Sequence, residues 1–299
     1  MSNRLFRRIL VAVDGSPASL HALKETCRLA RAEHGSITVL SVMPPYDGEL
    51  RLVGVRNISA LMQAPVEKAL AEAQRVAEAE GISIRTVAEQ GEPYEEIVTF
   101  AEDGGYDVIV LGVKGHNVSE NVLMGSVTAR VIGHANTNVL VIPGESSLTW
   151  ERILVPVDGS EWSTAAADKA FQLVRSYGSQ LDVVSVADVP PHLYGVSVAA
   201  ANEMILEARR RLEQITHEAE SRDIEANYVL REGEPAKILI ELVHNHASDL
   251  IIMGSHGRTG LKRLLMGSVT ERVIHNSPCP VLVVRSTLSL AEAVESAYA

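Results

Sequence analysis

Residues 8–16 read RILVAVDGS, and residues 152–160 read RILVPVDGS. Eight of the nine positions agree, at an offset of 144. Farther along, GEP at 91–93 returns as GEP at 233–235, and residues 112–142 align with 254–284 with 14 identities in 31, both at an offset of 142. The chain is therefore one unit of about 145 residues written twice, which is domain-sized and not a short solenoid repeat. The change in offset falls between the matched blocks, where a loop can absorb it. Pro143 and Gly144 open a polar stretch, PGESSLTWE, between the copies. The expected domains are 1–146 and 147–299.

Within each copy the hydrophobic period alternates. Residues 9–13 form a short apolar run that ends in Asp-Gly-Ser, which predicts a buried strand. Pro17 to His34 reads as a helix stopped by Gly35, and Ile37 to Met43 as a strand. Val66, Ala69, Leu70, Ala73, Val76 and Ala77 share one helical face before Gly81. Strands are predicted at Ile82–Ala88, Asp107–Leu111 and Val139–Ile142, with helices opened by Pro93 and by Gly125. The second copy repeats this order, with Ile205, Ala208, Leu212 and Ile215 on one face of its long helix. Strands alternating with helices imply a parallel sheet covered on both faces. The expected fold class is α/β, as two domains, each a five-stranded parallel sheet with helices on both faces. Ligands of such sheets lie beyond the carboxyl ends of the strands, at the switch in strand order.

Composition narrows the function. The 299 residues are 46% apolar, with a formal net charge of −11. An acidic chain is a poor match for nucleic acid or anionic membranes, whose binding needs clustered Lys and Arg. Two cysteines, Cys27 and Cys279, exclude a disulfide framework and suit a reducing compartment. Both are expected to pack and not to react. No apolar run approaches a membrane span, and Met1–Arg8 shows no signal-peptide core. A cytoplasmic protein is expected.

After the fourth predicted strand, copy one reads Gly112-Val-Lys114-Gly115, nine residues, then Gly125-Ser126. Copy two reads Gly254-Ser-His256-Gly257, nine residues, then Gly267-Ser268. Such a loop suits phosphate. Glycines let backbone N–H groups approach a ligand, and the helix that follows offers unpaired N–H groups and a positive dipole end. The same residues also serve to end a strand and start a helix. Asp14 and Asp158 have a similar double reading, as turn and N-cap residues or as ligand-binding residues at the strand end, and two carboxylate oxygens allow both.

The spacing Gly-x2-Gly-x9-Gly-Ser after an apolar strand, with VAVDGS near the start, resembles the universal stress protein family. The second half, IIMGSHGRTGLKRLLMGSVTERVIHNSPCPVLVV at 251–284, is nearly a full signature of it. The resemblance covers both halves and implies a Rossmann-like α/β fold and a tandem member of the nucleotide-binding branch, with ATP or AMP as ligand; Mg²⁺ can accompany ATP, because it binds through phosphates with few protein groups. It implies that Asp158 holds the ribose or adenine region, with Pro156 and Val157 lining that end and Val186 meeting the adenine. Met253, Gly254, His256, Gly257, Arg258, Gly267, Ser268, Val269 and Thr270 complete the implied site at its phosphate end. The matching positions of copy one are Ala12, Val13, Asp14, Val42, Gly112, Lys114, Gly115, Gly125, Ser126, Val127 and Thr128. Family members pair through the last strand, which implies VLVI at 139–142 against VLVV at 281–284 within one chain, and a homodimer as a further association.

The copies differ in charge. Arg258, Lys262 and Arg263 in the second loop stand where the first has His116, Glu120 and Asn121. The second copy is therefore expected to bind a polyphosphate more tightly. The segments 46–62 and 188–201, after the second strand of each copy, read equally as lids or as partner surfaces. No P-loop, HExxH, EF-hand or nucleophile elbow occurs. His244 and His246, two apart, would not share a helical face. No catalytic residue is assigned. The favoured function is an adenine-nucleotide-binding stress-response regulator. The alternatives are a nucleotide-independent scaffold and a slow ATPase or phosphotransfer enzyme.

Overall fold

A computed structural model describes residues 5–45, 58–113, 124–257 and 266–285. The chain divides into two compact units between Leu148 and Thr149. The first contains β1 (Arg8–Ala12), α1 (Pro17–Glu33), β2 (Ser36–Met43), α2 (Ile58–Ala79), β3 (Ile84–Gln90), α3 (Pro93–Gly104), β4 (Val108–Gly112), α4 (Ser126–His134) and β5 (Asn138–Ile142). The second contains β6 (Arg152–Pro156), α5 (Glu161–Tyr177), β7 (Gln180–Ala187), α6 (Leu193–Val196), α7 (Val198–Glu220), β8 (Asn227–Glu232), α8 (Pro235–His246), β9 (Leu250–Gly254), α9 (Ser268–Asn276) and β10 (Val281–Val284).

Each unit is a five-stranded parallel sheet. The order is β3-β2-β1-β4-β5 in the first and β8-β7-β6-β9-β10 in the second. The chain works outward from the central strand and then crosses back, so the order reverses between β1 and β4, and between β6 and β9. Right-handed crossovers then place α1 and α2 on one face and α3 and α4 on the other, and these helices pack as those pairs. Central strands are buried on both faces: Ile9, Leu10, Val11, Val108, Ile109 and Val110 are wholly inaccessible. The edge strand β3 instead carries only exposed and half-buried residues, as a strand with one solvated face does.

Local signals set the boundaries. Ser16 and Ser160 cap α1 and α5 by accepting the N–H groups of Ser19 and Ser163. The predicted strand start at Ile82 falls two residues early. Gly81 is left-handed (φ +68) and the Ile82 N–H bonds to the Ala77 carbonyl, so these residues still close α2. In the second unit the segment after β7 is not wholly a surface loop. Val189 is buried, and Ala187, Val189, Ala201 and Ala208 form one apolar cluster with Leu193 packed on it. Of the corresponding 46–62 segment, residues 46–57 lie outside the described residues. No helix among the described residues is long and apolar enough to cross a membrane.

Candidate functional site

The reversal between β6 and β9 opens a cavity of about 980 Å³ at the carboxyl ends of the strands. That is the upper end of the usual range for small-molecule sites, roughly 300–1,000 Å³. Its walls bring together Pro156, Val157 and Asp158 after β6, Val186 at the end of β7, Met253, Gly254, His256 and Gly257 at the end of β9, and Gly267, Ser268, Val269 and Thr270 at the start of α9. The first unit has the equivalent cavity, of about 610 Å³, lined by Ala12, Val13, Asp14, Val42, Gly112, Gly125, Ser126, Val127 and Thr128. Lys114, Gly115 and Arg258, with the rest of both nine-residue loops except Met124 and Met266, lie outside the described residues.

The Asp-Gly-Ser turn is built the same way twice. Gly15 and Gly159 take φ of +80 and +83, a left-handed conformation costly for other residues. The turn lets Oδ1 of Asp158 accept the Ser160 N–H at 3.0 Å and the Ser160 hydroxyl at 2.6 Å. Oδ1 of Asp14 accepts the Ser16 N–H at 3.0 Å. One carboxylate oxygen thus serves the turn. The other oxygen of Asp158 lies 2.6 Å from where a Cβ on Gly257 would stand, so a side chain there would displace this carboxylate oxygen.

The first glycine of each loop has a different reason. A Cβ on Gly254 would stand 2.5 Å from the Cβ of Trp162 and 2.9 Å from its carbonyl carbon. A Cβ on Gly112 would meet the backbone of Ala18 at 2.9 Å. These two glycines seat α5 and α1 against the strand ends. Thr128 and Thr270 also serve the frame, since each donates its hydroxyl to the carbonyl of that glycine at 3.0 Å. The loop ends close on themselves through Gly125 N–H to the Val113 carbonyl and Gly267 N–H to the Ser255 carbonyl, at 3.0 and 2.9 Å.

The helix starts beside these contacts are open. α4 and α9 begin after Gly125 and Gly267, and no side chain among the described residues caps either. By contrast, serines cap α1 and α5. The first-turn N–H groups of α4 and α9, at the positive end of the helix dipole, therefore border the cavities. Water or an anion can satisfy them, and the dipole favours an anion.

The model described as the universal stress protein family matches residues 5–143 and again residues 149–285. The chain belongs to that family. A universal stress protein of Mycolicibacterium smegmatis is 26% identical over 295 residues, covering 93% of this chain and 96% of its own length. The universal stress protein MJ0531 of Methanocaldococcus jannaschii is 35% identical over 153 residues, covering 50% of this chain and 88% of its own. The crystal structure of a universal stress protein from Archaeoglobus fulgidus superposes with a TM-score of 0.73 at 23% identity, covering 95% of this chain and 98% of that one. The likeness in structure shows the fold: two Rossmann-like α/β domains in tandem.

The two universal stress protein domains keep one frame and differ on one wall. Asp188, Glu207 and Arg211 line the second cavity, with Glu207 3.6 Å from the Arg211 guanidinium. The aligned residues of the first domain are Pro44, Pro65 and Ala69, and Pro44, Pro65, Met62, Val66 and Ile97 make that wall apolar. Sequence reasoning missed this wall, because α2 and α7 share no motif. It also missed Ser19 and Ser163, which line the cavities and whose hydroxyls accept the N–H of Asp14 and Asp158 at 3.3 Å. Their signal was available: DGSPAS at 14–19 and DGSEWS at 158–163 share the last serine as well as the first three residues.

Both cysteines lie away from the cavity linings and are buried. Burial pushes each thiol up from 9.0 to about 11. The folded thiols stay protonated where exposed ones ionise, so the native protein alkylates slowly at pH 8–9 and rapidly once unfolded. Iodoacetamide labelling followed by mass spectrometry checks this. The sign for stability follows: the contribution is complete below pH 9 and is lost as pH rises through about 11.

Proposed function

We propose that the second domain binds an adenine nucleotide, ATP or AMP, and that the first domain offers a second, weaker site. The observation that carries this reading is one cavity bordered both by a carboxylate, Asp158, and by the uncapped start of α9. A ligand that fits both has hydroxyl donors at one end and an anion at the other, as a nucleotide does. Gly257 approaches Asp158 on one side and Gly267, the residue before α9, on the other, which brings the two parts together. Asp158 takes the ribose hydroxyls, Val157 and Val186 border the base, and the N–H groups of Ser268 and Val269 take phosphate, with the Ser268 hydroxyl as a further donor. Among the described residues no cluster of His, Cys, Asp or Glu is arranged to hold a metal. Mg²⁺ arriving with ATP would take its ligands chiefly from the phosphates and water. The loop charges, Arg258, Lys262 and Arg263 against His116, Glu120 and Asn121, support the second site as the tighter. Nucleotide occupancy then serves as a regulatory signal in a stress response.

Ser268→Asp separates this reading from a purely structural one. A carboxylate at the first position of α9 favours the helix dipole by about 0.3–1 kcal/mol, so the thermal midpoint holds or rises. The same charge repels phosphate, so ATP affinity falls at least about tenfold, which corresponds to 1.4 kcal/mol. Differential scanning calorimetry and ATP titration give the two readouts. Unchanged affinity would remove α9 from the ligand site.

A further inference from the structure

Behind the wall of the second cavity, a chain of polar groups runs from the end of β10 to the cavity lining. Arg285, directly after β10, donates an Nη1 hydrogen to Ser255 Oγ at 3.1 Å. Ser255 directly follows β9 and is wholly inaccessible to solvent. Its Oγ lies 3.1 Å from Nδ1 of His256. His256 lines the cavity, and its ring tilts against Trp162 with centroids 5.5 Å apart.

Counting hydrogens sets the direction of this chain. A guanidinium only donates, so Ser255 Oγ accepts from Arg285 and keeps one hydrogen to give. Given to Nδ1 of His256, that hydrogen leaves the Ser255 hydroxyl with one bond accepted and one donated. If Nδ1 carried the hydrogen instead, the hydroxyl would accept twice. Its own hydrogen would then be buried with no acceptor among the described residues, an arrangement folded proteins avoid. Burial lowers Arg285 only to about 10, so at neutral pH it remains a cation and a donor.

We infer that Ser255 and Arg285 are positioning residues that hold His256 as its Nε2–H tautomer, so that the imidazole meets a bound nucleotide as a hydrogen-bond donor. This rests on the nucleotide reading above, and phosphate oxygens are the acceptors it fits. The opposite tautomer would turn a lone pair toward the anion. The device belongs to the second domain alone. The aligned residues of the first are Val113 for Ser255, Lys114 for His256, Pro143 for Arg285 and Ala18 for Trp162. Val113 and Pro143 cannot reproduce the hydroxyl-to-guanidinium link, so the first domain serves as an internal control.

The test uses the full chain with ¹⁵N-labelled histidine. Long-range ¹H–¹⁵N spectra of the ligand-free protein, with the His256 signals assigned by His256→Asn, report which ring nitrogen carries hydrogen. The expected result is an unprotonated Nδ1 in the wild type and a mixture of tautomers in Ser255→Ala and in Arg285→Met. ATP titration is expected to show second-domain affinity about fivefold weaker in both variants, the loss of one net hydrogen bond. Arg285→Lys, which keeps a cationic donor, is expected to restore most of it. A protonated Nδ1 in the wild type overturns the inference, and so do variants that keep both tautomer and affinity. Absence of ATP binding by the wild type overturns the nucleotide reading and the ligand half of this inference with it. The tautomer half is still decided by the ligand-free spectrum.

Discussion

Asp158→Asn is expected to weaken ATP binding by the second domain about 10- to 100-fold while leaving the thermal midpoint nearly unchanged. The two roles of this residue use different atoms. Oδ1 accepts the Ser160 N–H and hydroxyl and so holds the turn that positions the α5 cap. Asparagine keeps an oxygen for that role. It loses the charge, and its amide places donors where ligand hydroxyls would otherwise find an acceptor. A hydrogen bond to a charged group contributes roughly 1.5–3 kcal/mol, which sets the size of the effect. Asp158→Ala removes both roles, and the weakened cap adds a stability cost of about 0.5–2 kcal/mol. Calorimetric titration beside scanning calorimetry separates the two variants. Wild-type affinity in the asparagine variant would reduce Asp158 to a turn residue.

Gly254→Ala is expected to destabilise the second domain by about 1–3 kcal/mol, the usual cost of overpacking. At roughly 2–4 °C per kcal/mol for a domain of this size, the midpoint falls by several degrees. The added methyl would stand 2.5 Å from the Cβ of Trp162, and 2.9 and 3.0 Å from that residue's carbonyl carbon and oxygen. Two of the three nearest atoms are backbone, so relief requires α5 to shift off the end of β9. His256 rests against the same tryptophan, so the shift also disturbs the cavity wall. Gly178→Ala is the control for loop glycine in general. It is left-handed (φ +72) but has no atom within 4 Å of its Cβ position. Its cost is conformational only, about 1 kcal/mol. Equal midpoints for Gly254→Ala and the wild type would show that the contact between β9 and α5 yields freely.

The fold was legible because its signals are local and repeated. The run RILVAVDGS and its copy carry a buried strand, a left-handed glycine and a capping serine in nine residues. The crossovers follow from alternation alone. The glycine loops were legible as a place in the fold, but the sequence did not separate reasons that the structure separates. Gly112 and Gly254 answer to helix packing, Gly257 to the approach of the loop to Asp158, and Gly125 and Gly267 leave α4 and α9 without a side-chain cap. The remaining site residues were hidden because they converge from distant elements. Pro65 and Glu207 sit on helices whose motif-free faces show only an apolar period. The link from Arg285 to Ser255 spans 30 residues of sequence and closes only because β9 and β10 are paired.

The central claim is that the second cavity holds an adenine nucleotide, and one measurement reaches it most directly. Calorimetric titration of the nucleotide-stripped full chain with ATP and Mg²⁺ is predicted to show saturable binding. The tighter site should weaken about 10- to 100-fold in Asp158→Asn, and the weaker one should weaken in Asp14→Asn. Absence of saturable heat at any ATP concentration up to the millimolar range would contradict the account, leaving the glycine loops as devices of the fold.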